Sequence, residues 1–365
     1  MRVVSFMFSH LRKLDWQLIF IVLLLSGVGL LTIHGIGSPE SSIFFKKQLS
    51  FVCFGFVIMI GLSFFDYRIF KNYSSILIIL YVISLLALFL VLFSQDIRGA
   101  SSWFRLGFLR FEPIEFIKIV IVLILSKYFS FRHIEMYRVR HLIVSGIYIT
   151  LFVLAIFLQP DLGSILVLLS IWFGIIIVSG IKVRHLIIML LILTFVSVGA
   201  WVVILKDYQK QRITTFLNHE DDPYGGGYHI SQSLIAVGSG GLFGQGLGLS
   251  SQAGLKFLPE QHTDFVFATL SERRGLAGVL FLLILFAFLF WRLIKIALKS
   301  SNNFSRLFAS GFAIMIFSQM VINIGMNIAI LPITGLTLPL VSYGGSSLIS
   351  IFIGLGIIQS IKARI

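Results

Sequence analysis

Ten stretches of the chain, at about 16–35, 48–65, 74–94, 114–130, 141–158, 162–180, 184–204, 265–296, 303–327 and 340–361, are apolar with hardly a break and long enough to span a bilayer. No water reaches the middle of a bilayer to satisfy free peptide groups, so runs of this length must be helices. The pattern predicts an all-α polytopic membrane protein of about ten transmembrane helices, read as one integral membrane unit over residues 1–365. The first run, Trp16 to Ile33, lacks a small-residue cleavage pattern and reads as a retained helix. Two polar segments between runs are long. One, near 95–113, contains DIRGASSWFRLGFLRFEP. The other, near 205–264, lies between the seventh and eighth helices and mixes aromatics, glycines and both signs of charge, as an ordered surface segment does.

Composition supports this reading. The 365 residues are 58% hydrophobic and 12% charged, against roughly 45–50% and about 25% for an average soluble domain. The net charge of +14 changes meaning in this setting. With the N-terminus inside, the inner segments hold most of the 29 Lys and Arg, and only Asp15, Asp66 and Glu135 among the acids. That bias predicts both termini in the cytoplasm and the 205–264 loop outside. Basic residues facing an anionic leaflet account for the charge, and no basic soluble domain is present to bind nucleic acid. Cys53 is the one cysteine, so neither an intrachain disulfide nor a thiolate metal site can form.

Candidate chemistry gathers at the outer boundary. In PIEFIKIV, Glu115 and Lys118 share a helix face, either as a mutually neutralising pair or as site groups facing a polar cavity. Glu112, just before Pro113, reads as loop-exposed. Trp103 is an interfacial anchor or a stacking platform for a sugar or lipid. Asp161 in LQPDLGS suits a helix cap. In the large loop, Lys206, Lys210 and Arg212 are ordinary interfacial bases or partners of a phosphate. The glycines of VGSGGLFGQGLG suit close backbone packing better than a phosphate cradle, since no GKS/T follows. KFLPEQHTD then carries Glu260, His262 and Asp264 straight into the eighth apolar run. Asp264 either caps that helix or, partly desolvated at the boundary, accepts a proton. Glu272 lies deeper and needs a partner, Arg273 or Glu115. Asn323 and Asn327 give the ninth helix a polar face, and LPITGLTLPLVSYGGSS reads as a broken segment lining a cavity.

Six blocks, GASSWFRLGFLRFEP, LQPDLGS, DPYGGGYH, GSGGLFGQGLG, FLPEQHTDF and the NIGMN to VSYGGSS stretch, resemble in order the signatures of the SEDS family (shape, elongation, division and sporulation). The rod-shape branch is a closer match than the division branch. The chain departs from the family at EPIE, where QPSE is common, at Ser102, where Arg often precedes the Trp, and at Arg273, where a second acid usually follows Glu272.

The resemblance implies polymerisation of lipid II into glycan strands at the outer face of the cytoplasmic membrane during elongation. It places the essential aspartate on Asp264, the functional loop tryptophan on Trp103, and the acid and base of the fourth helix on Glu115 and Lys118. Lys118, Arg212 or another outer base would meet the leaving diphosphate. Glu260, His262, Asp161 and Ser346 would support the site. It also implies a divalent cation, Mg or Mn, and as partners lipid II, the growing lipid-linked glycan, a class B penicillin-binding protein and other membrane proteins of the elongation complex. A lipid II flippase, a division-type polymerase and a non-catalytic scaffold are the alternatives.

Overall fold

The computed structural model describes residues 2–36, 39–93, 103–106, 109–131, 139–159, 161–199, 201–202, 210, 214–218, 226–246, 258 and 260–365. The helices in chain order are α1 (Arg2–Lys13), α2 (Trp16–Gly35), α3 (Pro39–Phe64), the short α4 (Arg68–Asn72), α5 (Ser74–Leu92), α6 (Pro113–Ser130), α7 (Val139–Phe157), α8 (Leu162–Val178), α9 (Val183–Gly199), α10 (Gly226–Ser239), α11 (Val266–Lys299), α12 (Asn303–Asn327) and α13 (Gly345–Lys362). A helix stands at each of the ten predicted runs, at α2, α3, α5 to α9 and α11 to α13. Seven of the described helices are long and apolar enough to cross a membrane. α8 and the Val183–Phe195 part of α9 are shorter, and α6 is interrupted by Glu115, Lys118 and Lys127.

The all-α class holds, with one small addition among the described residues. Strands β1 (Phe104–Leu106) and β2 (Leu109–Phe111) form an antiparallel hairpin with Phe104 opposite Phe111.

α12 occupies the centre and packs against α6, α8 and α11. Phe304, Phe308 and Phe312 recur every fourth residue, so they stack on one face with ring centroids 6.4 and 6.2 Å apart. α3 and α13 form a long seam where small residues meet large ones. A Cβ on Gly55 would lie 2.3 Å from the Phe352 ring, and one on Gly356 would lie 2.8 Å from the Leu62 side chain. Without a hydrophobic drive between helices in lipid, such close fits carry the association.

The glycine-rich stretch of the large loop is a packing device. α11 is not one straight helix, because Gly275 has a left-handed backbone (φ 62°) and breaks it. The turn after α10 inserts at this break. Gln245 N–H donates to the Glu272 carbonyl (2.9 Å) and Gly246 N–H to the Arg273 carbonyl (3.2 Å). In return, Leu276 and Ala277 N–H donate to the carbonyls of Gly241 and Leu242 (2.9 and 3.0 Å). The peptide groups freed by the kink are thus paired inside the protein, as the apolar setting demands. A Cβ at Gly240 would sit 2.0 Å from the Ser271 carbonyl, which is why the approach needs glycine.

Candidate active site

The site is built at the end of the bundle where α6, α8, α11 and α13 begin and α12 finishes. Three segments converge there: the hairpin, residues 260–265 and the irregular stretch 331–344. Prolines 332 and 339 cannot continue a helix, so 331–344 runs without one before α13 starts at Gly345. Ser342 holds it in place. Its Oγ accepts from Leu338 N–H (2.9 Å) and donates to the Thr263 carbonyl, while Gln48 donates to the Ser342 carbonyl (2.9 Å).

Asp264 lies on this framework, half-buried. Its carbonyl is held twice, by Nδ2 of Asn323 and Nδ2 of Asn327, each at 3.0 Å. Asn323 also donates to the Leu336 carbonyl (2.7 Å), and Asn327 accepts from Ala268 N–H (3.2 Å). The two amides predicted as a polar helix face therefore tie α12 to both loops and fix the Asp264 backbone. The capping alternative is not what forms: the residue at the cap of α11 is Phe265, with no side-chain cap bond. One Asp264 carboxylate oxygen faces Gly335, 3.8 Å from where a Cβ would stand.

Across the site, α6 contributes the charged core. Pro113 starts the helix and brings Glu115 and Lys118 onto one face. Lys118 Nζ lies 2.7 Å from Glu115 Oε1, with the residues 0% and 5% exposed. At that burial the two charges compensate each other. Asp161 caps α8 by accepting from Ser164 N–H (3.0 Å), as predicted.

Glu112 corrects the sequence reading. It is not loop-exposed but partly buried, and its N–H donates to Ser346 Oγ (3.1 Å). Burial first, then the neighbouring Glu115, Asp161 and Asp264, push its carboxyl well above the ordinary glutamate value; Lys118 opposes them. Three other carboxyls thus act on Glu112.

The remaining expectations are distributed as follows. Trp103 is half-buried and precedes β1; extending the hairpin register by one pair places it across from Glu112. His262 stacks on Phe44 (centroids 4.1 Å) and its carbonyl accepts from Tyr343 N–H (2.7 Å), so it shapes the loop. Glu260 has left-handed backbone (φ 47°) and accepts from Thr263 Oγ1 (3.3 Å). Glu272, fully buried, adjoins Arg273 at the α11 break and is not among the acids acting on Glu112. Arg212 and Lys206 lie outside the described residues. Among the described residues no three His, Cys, Asp or Glu side chains stand together as a metal-ligand set. The described groups do not by themselves fit the expected divalent cation.

Comparison with known proteins agrees with this architecture. The sequence model of the cell cycle protein family FtsW/RodA/SpoVE matches residues 12–365. The chain is 38% identical over 321 residues to the peptidoglycan glycosyltransferase MrdB of Escherichia coli K12, covering 87% of this chain and 85% of that one. It is 36% identical over 357 residues to the stage V sporulation protein E of Bacillus subtilis, covering 95% and 96%. Among solved structures, the crystal structure of the Thermus thermophilus rod shape determining protein RodA superposes with a TM-score of 0.69 at 33% identity, over 96% of each chain. A chain from the structure described as "Structural coordination of polymerization and crosslinking by a peptidoglycan synthase complex" superposes with a TM-score of 0.82 at 33% identity, over 96% and 98%.

Proposed function

The chain belongs to the FtsW/RodA/SpoVE family, the SEDS proteins, and from that premise we propose that it is a RodA-like peptidoglycan glycosyltransferase that polymerises lipid II during elongation. The observation that carries the reading is the clamped Asp264, fixed by two buried amides opposite Glu112, Glu115 and Lys118. A scaffold has no use for a backbone fixed so firmly where it presents a carboxylate at a half-buried boundary. A proton acceptor does, because geometry decides its rate.

In the proposed reaction Asp264 takes the proton from the acceptor sugar hydroxyl. The oxygen bonds to the donor's anomeric carbon as the bond to the undecaprenyl diphosphate breaks. Trp103 supports a sugar or lipid face beside Glu112, and Arg212 or another outer base meets the leaving diphosphate. The buried Lys118–Glu115 pair acts on Glu112 from α6 with opposite signs. The divalent cation implied by the family, Mg or Mn, has no preformed ligand set among the described residues. The basic end of the bundle, with Arg292 and Arg364, faces the cytoplasm in this proposal, and the Asp264 end faces outward. A class B penicillin-binding protein is the proposed partner.

The test is glycan polymerisation from lipid II in detergent by the purified protein with its partner. Asp264→Asn should lower the rate by about 10²–10⁴-fold. A rate near wild type removes Asp264 from the chemistry, and absence of glycan from the wild-type protein favours a flippase.

A further inference from the structure

A second polar feature of the bundle has no part in this chemistry. α2 and α11 enclose a cleft of about 370 Å³, lined by Val28 and Leu31 from α2 and by Leu270, Arg273, Arg274 and Phe281 from α11. Leu31 and Phe281 are exposed, so the cleft opens sideways toward lipid. Arg273 is 4% exposed, and its Nε and Nη1 have no hydrogen-bond partner among the described residues. A buried guanidinium with open donors is costly, and within a membrane such a group marks a site.

The local charges do not cancel. Among the described residues Arg273 and Arg274 stand beside a single acid, Glu272, and both arginines line the cleft. Elsewhere the chain treats a membrane arginine differently: Arg292, on the same helix, pairs directly with Asp15. Arg273 lies seven residues beyond Val266, about 10 Å along the helix axis. A guanidinium at that depth lies within reach of the headgroup layer. Planar donors suit phosphate oxygens, and basic pockets between transmembrane helices hold anionic headgroups. The apolar walls suit a chain.

We propose that the α2–α11 cleft is a binding site for an anionic phospholipid, whose phosphate lies on Arg273 and Arg274 and whose acyl chain runs between Leu31 and Phe281. The site is separate from glycosyl transfer and does not depend on that assignment. Its occupant would complete the hydrogen bonds of Arg273 and brace the break at Gly275, two residues on.

The experiment is native mass spectrometry of the full chain with added lipids. Phosphatidylglycerol should stay bound, phosphatidylcholine should not, and inorganic phosphate should fail to compete. Arg273→Gln should weaken phosphatidylglycerol binding at least ~10-fold, equivalent to about 1.4 kcal/mol. Leu31→Trp closes the cleft mouth from an exposed position and leaves both arginines in place, so it carries the test where Arg273→Gln does not fold. It should cause a similar loss. Equal retention of phosphatidylcholine, competition by inorganic phosphate, or wild-type binding in the folded variants would overturn the proposal.

Discussion

The two ends of the bundle handle charge in opposite ways. At the end where α2 begins, Asp15 caps α2 through Leu18 N–H (3.0 Å), binds Arg292 and exchanges bonds with Gln359 at 2.8 and 3.2 Å. Asp66 meets Arg364 (3.7 Å), which also donates to the Phe64 carbonyl (2.9 Å). Each described acid there has its own arginine. At the other end Glu112 lies in the field of three further acids, Glu115, Asp161 and Asp264, while Lys118 pairs with Glu115. The non-glycine residues with left-handed backbone, Glu260, Ala329 and Leu340, also lie in the loops at that end. Like charges crowded together and strained backbone are kept only where something compensates for them. The first end is a clasp that stabilises; the second is arranged for chemistry at the expense of stability.

That contrast fails if the two ends respond alike to mutation. Asp264→Asn should abolish nearly all polymerisation, the ~10²–10⁴-fold loss given above, while the melting temperature stays at or above wild type. Removing one of several crowded acids relieves repulsion. A variant that melts much earlier than wild type would make Asp264 a structural residue.

Arg292→Met is the mirror experiment. It strands a buried Asp15 carboxylate and should cost about 3–5 kcal/mol of stability, read from thermal unfolding in detergent. Turnover per folded molecule should hold. A selective loss of turnover would show that the clasp communicates with the site.

Gly275→Ala tests the seam between the loop and α11. A Cβ there would meet Gly244 N at 2.4 Å with a backbone that disfavours any side chain. The expected loss is about 1–3 kcal/mol, again from thermal unfolding. No loss would mean that the turn after α10 is not seated as described.

How much of this was legible beforehand depended on the distance over which each feature is decided. The ten apolar runs were readable because lipid leaves a chain of that length no other solution. The Asp161 cap is settled within three residues and was readable too. α10 reads as part of a polar loop because its apolar face, Ile230 and Ala236, is too short to register as a run. The break in α11 was invisible, since the groups that satisfy it come from residues 241–246. Asp264 stood out at a polar-to-apolar boundary, but its clamp comes from Asn323 and Asn327, 59 and 63 residues away. Their identities said only that a polar face exists.

Glu112 is the smallest and most discriminating test. The local rule, a residue before a proline at a loop end, made it look exposed; the fold places it among three other acids and holds its carboxyl above the usual 4.5. The sign follows from linkage. A carboxyl with a raised folded-state pKa contributes stability below its unfolded value, and that contribution is lost as pH rises through the folded value. Glutamine is close in shape to the neutral acid and cannot ionise. The Glu112→Gln protein should therefore match wild type in acid and become more stable than wild type as pH climbs above about 4.5, by a few °C at most. Activity should persist, with a flatter pH profile than wild type. Parallel melting curves across the whole pH range would show that Glu112 is not crowded, and the contrast between the two ends would then rest on Glu115, Asp161 and Asp264 alone.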